Sequence, residues 1–129
     1  MDETTGRCLC GAVRYACAPG AILRQGFCHC ESCRRATASP VTAFLMSRAE
    51  AVRWTAAAPR THESSPGVTR GFCAACGTPM FYATADLPGE IHLYSATLDA
   101  PERAAPSGHS FWSERLPWLA IADDLAKED

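Results

Sequence analysis

Apolar and polar residues alternate over short stretches of this chain, and glycine and proline separate the stretches. This is the two-residue period of strands rather than the 3.6-residue period of helices. Val13 and Tyr15 flank Arg14 as a half-buried strand would, and Ile22-Leu23 through Phe27 lead a second. The apolar runs 41–46 and 51–54 are of strand length, as are 79–82 and 90–95. Within the last of these, Ile91, Leu93 and Ser95 share one face and His92 and Tyr94 the other, so His92 reads as a strand-surface residue. Ala18-Pro19-Gly20 is a turn, and 61–67, which includes His62, reads as a polar loop feeding residues 68–72. Helical character is confined to one turn over 34–40, ended by Pro40, and to the short segment 101–105. A proline-rich tail from Leu98 carries His109, Phe111-Trp112 and Pro117-Trp118-Leu119. The pattern predicts a mostly-β, single-domain fold without an internal repeat.

With 129 residues, 47% hydrophobic and 20% charged, the chain has the composition of an ordinary globular domain. A net charge of -2 and dispersed arginines argue against a nucleic-acid or anionic-membrane partner. The first residues have neither the basic region nor the apolar run of a signal peptide, and no stretch approaches the ~20 apolar residues of a membrane span. A cytoplasmic location is the expectation, and in a reducing compartment eight cysteines read as metal ligands rather than as disulfides.

Their spacing supports that reading independently. In Cys28-His29-Cys30-Glu31-Ser32-Cys33 an extended backbone places Cys28 and Cys30 on one face with His29 turned away, and the Cys30-x-x-Cys33 gap suits two sulfurs gripping one ion. Cys8-x-Cys10-Gly11 and Cys73-x-x-Cys76-Gly77 each supply two thiolates next to a conformationally permissive glycine. Joined, they make a closed four-sulfur site of structural type. A redox Cys-x-x-Cys would need a βαβ context that this sequence lacks. Cys17 stands alone before a turn and reads as a buried core residue. The three-cysteine site then has an open fourth position, the mark of catalytic zinc. His109, in a polar Ser-Gly-His-Ser stretch, is the candidate acid–base group, and Arg34 is a candidate for offsetting site charge or attracting an anionic substrate.

The combination of Cys8-x-Cys10-Gly11, Cys28-His29-Cys30-x-x-Cys33-Arg34, Ser64-Ser65-Pro66-Gly67, Arg70-Gly71-Phe72-Cys73-x-x-Cys76-Gly77-Thr78-Pro79 and the closing His109 with Leu116-Pro117-Trp118 resembles the glutathione-dependent formaldehyde-activating enzyme family. The resemblance covers residues 6–125, leaving 1–5 and 126–129 as expected disordered tails. It implies a tent-like, all-β fold with two zinc ions. Cys8, Cys10, Cys73 and Cys76 would hold the structural ion, and Cys28, Cys30 and Cys33 the catalytic and more labile one. The implied activity is that of a carbon-sulfur lyase joining glutathione and formaldehyde reversibly as S-hydroxymethylglutathione. Two positions depart from the pattern: Ala38 stands where relatives usually have glycine, and Ser110 where isoleucine is usual.

The expected function is therefore a zinc-dependent carbon-sulfur lyase acting on a small thiol–aldehyde adduct, with a thiol such as glutathione as partner. The alternative is a non-enzymatic, zinc-stapled binding or metal- and redox-sensing module, which requires Cys17, His29 or another side chain to close the second site.

Overall fold

The structure is a computed structural model and describes residues 2–129; Met1, in the first of the two expected tails, lies outside the described residues. In chain order the strands are β1 (Thr4–Arg7), β2 (Arg14–Cys17), β3 (Ile22–Cys28), β4 (Thr42–Arg48), β5 (Val52–Trp54), β6 (Arg60–Ser65), β7 (Val68–Phe72), β8 (Pro79–Thr84), β9 (Glu90–Tyr94), β10 (Gly108–Ser110) and β11 (Ala126–Lys127). One helix, α1 (Glu31–Thr37), separates β3 from β4. The strands form a three-stranded sheet in the order β1-β2-β5 and an eight-stranded sheet in the order β11-β10-β3-β4-β9-β8-β7-β6. From β3 to β6 the large sheet is antiparallel, whereas β10 runs parallel to both β3 and β11.

The middle of β4 shows why residues 43–46 are continuously apolar instead of alternating. Leu45 belongs to the main core with Val13, Tyr15, Cys17, Met80, Ile91 and Leu93, while Phe44 and Met46 pack with Cys28 and Cys33. Both faces of the strand are covered there, so the alternation of a one-sided strand is lost. β9 alternates as expected: Ile91 and Leu93 enter the core, and His92 and Tyr94 take the opposite face. That face is not a solvent surface. His92 stacks on Phe44 at 5.0 Å and contacts Tyr82, and burial, reinforced by Arg24, pushes its pKa down to about 4.

Three further expectations are corrected. The polar stretch after residue 60 is the edge strand β6, exposed at every position and paired with β7. The helix runs over Glu31–Thr37, starting before the turn expected at 34–40 and ending ahead of Pro40, and at 101–105 only a 3₁₀ turn over Pro101–Arg103 forms. The Cys30 sulfur accepts from the Cys33 amide at 3.3 Å and so caps α1 at its start. Neither tail is without structure: Thr4 and Thr5 pair with Cys17 and Ala16, and Ala126 and Lys127 pair with Gly108 and His109.

Gly71 and Phe81 face each other across β7 and β8. A Cβ at Gly71 would lie 2.0 Å from the Phe81 ring, so only glycine lets the ring lie over this strand next to Arg70. Among the described residues no helix is long and apolar enough to cross a membrane.

Candidate metal centres and the adjoining cavity

Both cysteine groups assemble, as strand ends and turns bring their sulfurs within 4.8 Å of one another. The first joins Cys8 and Cys10, after β1, to Cys73 and Cys76, in the β7–β8 connection. Backbone amides point at its sulfurs: Val13 to Cys8 at 3.3 Å and Cys76 to Cys73 at 3.4 Å. Gly77 takes the left-handed conformation (φ +80°) with nothing within 4 Å of a Cβ, so its requirement is conformational rather than steric.

The second group joins Cys28, at the end of β3, to Cys30 and to Cys33 on α1. Four sulfurs at about 2.3 Å around a tetrahedral ion lie about 3.8 Å apart. The Cys8–Cys10 and Cys10–Cys73 separations are 3.7 and 3.8 Å, and Cys28–Cys30 is 3.4 Å. The donor sets therefore fit a tetrahedral thiolate-binding ion. Without a cation the thiols of the second group cannot all ionise. Hydrogen bonds from Cys28 and then Cys30 push Cys33 down to about 2 against its burial, with Arg70 adding, while the same contacts and burial push Cys28 up.

Cys17 joins neither group. It is fully buried in the main core beside Ser47, and burial raises its pKa to about 11. His29 does not turn toward the sulfurs either. Its Nε2 lies 2.8 Å from Nδ1 of His109, whose Nε2 lies 2.9 Å from Asp123 Oδ2. With Asp123 ionised, His109 donates to the carboxylate and accepts from His29. Trp112 packs against both rings, at 5.2 and 4.9 Å. His109 pairs with Phe27 in the register of β10 on β3, whereas Ser110 pairs with Cys28, so strand alternation puts Ser110 toward the sulfurs. His109, expected as an acid–base group, is thus a buried link that does not line the thiol cavity. Arg34 does not line it either: its Nη1 donates to the carbonyls of His29 and Glu114, both at 2.6 Å, and ties α1 to the C-terminal segment.

The cation at the sulfurs is Arg70, which sequence reasoning left without a role. It is 8% exposed, donates from Nη1 to Tyr94 Oη at 2.8 Å and from Nη2 to Ser32 Oγ at 2.8 Å, and approaches Cys33 Sγ at 3.7 Å. It also lies over the Tyr82 ring, 5.0 Å from its centroid. A signal existed, since Arg70 shares a strand face with Val68 on a half-apolar element leading directly into Cys73. The three sulfurs open on a cavity of about 520 Å³, walled by Phe44, Tyr82, His92 and Tyr94 as well as Arg70. Phe111, half-exposed at this cavity, has φ +55°, a strained conformation for a bulky residue. Ser110 also lines it, and Ala38, the other departure, ends α1 in the left-handed conformation (φ +57°).

The profile of the glutathione-dependent formaldehyde-activating enzyme family matches residues 3–114, and the chain belongs to that family. An uncharacterized lyase of Schizosaccharomyces pombe is 34% identical over 86 residues, which are 64% of this chain and 59% of that protein's length. A Rhodobacter sphaeroides protein of known crystal structure shares the fold, with a TM-score of 0.61 at 17% identity, over 95% of this chain and 98% of that one.

Proposed function

We propose that the protein is a zinc-dependent carbon-sulfur lyase that joins and separates a small thiol and an aldehyde, with glutathione and formaldehyde as the expected pair. The observation that carries this reading is the second sulfur group. It offers three thiolates at the wall of a cavity, and among the described residues no fourth cysteine, histidine or carboxylate joins them. Cys28, Cys30 and Cys33 would hold the zinc of the reaction, and Cys8, Cys10, Cys73 and Cys76 a structural one. Zinc bound by three thiolates supplies a stabilised substrate thiolate and Lewis acidity toward a carbonyl oxygen.

In the synthetic direction the thiol sulfur attacks the carbonyl carbon, the carbon–oxygen π pair moves to oxygen, and that oxygen takes up the proton given up by the thiol. The chain's residues are suited to the charges that develop. Tyr94 and Ser32 both accept hydrogen bonds from Arg70, so each hydroxyl keeps its own hydrogen free to donate to an oxygen in the cavity. Burial, opposed by Arg70, raises the Tyr94 pKa to about 12, so the phenol stays protonated as a donor. The ring wall of Phe44, Tyr82 and His92 limits water around a reactive hemithioacetal.

A closed binding or sensing module would need a fourth protein ligand, and neither Cys17 in the core nor His29 on His109 is placed to serve. The direct test loads the protein with zinc and follows exchange between formaldehyde, thiol and adduct by NMR. The reading expects exchange above the uncatalysed rate that is lost in Cys33→Ser. Wild-type exchange no faster than background with any thiol–aldehyde pair would reject it.

A further inference from the structure

Strand alternation breaks at the end of β10, and it breaks beside the three-cysteine group. His109 and Ser110 pair with Phe27 and Cys28 of β3, so their side chains take opposite faces: His109 stacks on Phe27 at 5.0 Å, and Ser110 lines the thiol cavity. An extended continuation would send Phe111 to the His109 face and Trp112 to the cavity. The reverse is found. Phe111 lines the cavity next to Ser110, while Trp112 packs against His29 and His109. The left-handed backbone at Phe111 (φ +55°) makes this exchange. Such a conformation is unfavourable for a bulky residue and persists only where the surroundings over-determine it. Both flanks do so here. The Ser110 carbonyl accepts from the His29 amide at 3.0 Å, the Trp112 amide donates to the Glu128 carbonyl at 2.9 Å, and the Glu114 amide donates to the Phe111 carbonyl at 3.0 Å. The Ser113 amide is held by Asp129 Oδ1 at 2.7 Å.

These contacts fix the turn, and none of them uses the side chain at position 111. The Phe111 ring is 48% exposed and belongs to neither hydrophobic core. Glycine would hold the same turn without a Cβ penalty. A costly backbone that presents a half-exposed ring to a cavity containing three sulfurs points to a functional contact rather than a packing one. We propose that Phe111 is the cover of the sulfur end of the thiol cavity, where its ring packs against the carbon next to a bound substrate sulfur. The remaining position at Cys28, Cys30 and Cys33 then favours a carbon-bearing thiol over water. Phe111 is thus a specificity-determining residue that acts through apolar area rather than through charge or hydrogen bonding. Covering roughly 50 Å² of apolar surface corresponds to about tenfold in affinity. The proposal rests on the lyase reading for a metal at the three-cysteine group, but not on turnover.

Phe111→Gly and Phe111→Ala both remove the ring and differ in the cost of the left-handed backbone, whereas Phe111→Tyr keeps the ring. In thermal unfolding Phe111→Gly should melt roughly 3–5 °C above Phe111→Ala. Equal Tm values would overturn the proposal, because the conformation would then carry no strain to explain. Binding of 2-mercaptoethanol to the cobalt(II)-loaded proteins is followed by sulfur-to-cobalt charge-transfer absorption. Wild type and Phe111→Tyr should bind it alike within about twofold, and the glycine and alanine variants about tenfold more weakly, equally so despite their different Tm. Azide, which takes a metal position without bringing a carbon, should bind all four proteins within about twofold. Should Phe111→Ala not fold, the glycine and tyrosine variants carry the comparison. Thiol affinity within twofold of wild type in the variants that lack the ring, recovery in Phe111→Gly alone, or an equal weakening of azide would each overturn the proposal. Weakened thiol binding in the ringless variants of a protein without thiol–aldehyde exchange would uphold the cover while rejecting the lyase reading. Exchange with an unchanged kcat/KM and unchanged thiol affinity in Phe111→Gly would do the opposite.

Discussion

Arg70 is the sharpest test of how the thiol cavity handles charge. Three thiolates around a divalent cation leave one net negative charge, and Arg70, 3.7 Å from Cys33 Sγ, is the cation in contact with it. At an effective dielectric constant near 20, unit charges about 4 Å apart attract by about 4 kcal/mol, an upper bound because the guanidinium is also desolvated. A hydrogen bond involving a charged partner contributes about 1.5–3 kcal/mol net, a factor of roughly 10–100 in rate or affinity. Arg70→Met also leaves Tyr94 and Ser32 without their donor. The expected result is a 10–100-fold loss of kcat/KM for thiol–aldehyde exchange, together with weaker zinc retention at Cys28, Cys30 and Cys33 in chelator competition. The four-cysteine site should keep its zinc. Arg70→Lys retains the charge but loses the fork that reaches three acceptors, so its loss should be intermediate. Thermal unfolding of each variant separates these effects from a stability loss of about 1–3 kcal/mol. A folded Arg70→Met protein with kcat/KM within twofold of wild type and unchanged zinc retention would refute the reasoning.

Ala38 ends α1 at φ +57°, where glycine carries no Cβ penalty, so Ala38→Gly should stabilise by about 1 kcal/mol, roughly 3–5 °C in Tm; an unchanged or lower Tm would contradict this. His92 has its folded pKa lowered to about 4, below its ordinary 6.5, so the unfolded chain takes up the proton first. This contribution to stability is intact above pH 6.5 and is lost as pH falls toward 4, so urea midpoints of wild type should fall more steeply over that window than those of His92→Leu. Parallel curves would show that His92 is not held neutral. The His29–His109–Asp123 chain fixes the residue between Cys28 and Cys30, so His109→Gln should weaken metal affinity about tenfold at the three-cysteine site alone. Equal loss at both sites in a chelator titration would make the link merely structural.

The cysteine groups were legible in the sequence because chelation imposes spacing that survives without knowledge of the fold. The strands that border the core on one side were equally clear, as in Ile91 and Leu93 of β9, because burial there selects every second residue. β6 was not, since an edge strand exposed on both faces has no apolar alternation and its Thr61, Glu63 and Ser65 look like loop residues. α1 was legible only as a single turn over 34–40, because a seven-residue helix capped by a cysteine sulfur carries only Cys33 as a buried residue. His92 and Arg70 were misjudged or passed over for one shared reason. The face they occupy is closed by residues distant in sequence, Phe44 for the first and Ser32 with Cys33 for the second, and polarity alone reads such a face as solvent. The role expected of His109 came from the polarity of its stretch and that of Arg34 from proximity to Cys33, and neither says on which side of a strand or helix a side chain lies.

The central claim is that the three-cysteine group holds a metal ion whose remaining position is taken by the substrate's sulfur. Cobalt(II) substituted at both sites reports this directly, because sulfur-to-cobalt charge-transfer absorption scales with the number of bound thiolates. The protein alone should show the intensity of seven thiolates on two ions, four from one group and three from the other. Saturation with glutathione should raise it by one thiolate's share, and Cys28→Ala should abolish the increase. An intensity already equal to eight thiolates before glutathione is added, or no change at saturation, would contradict the account.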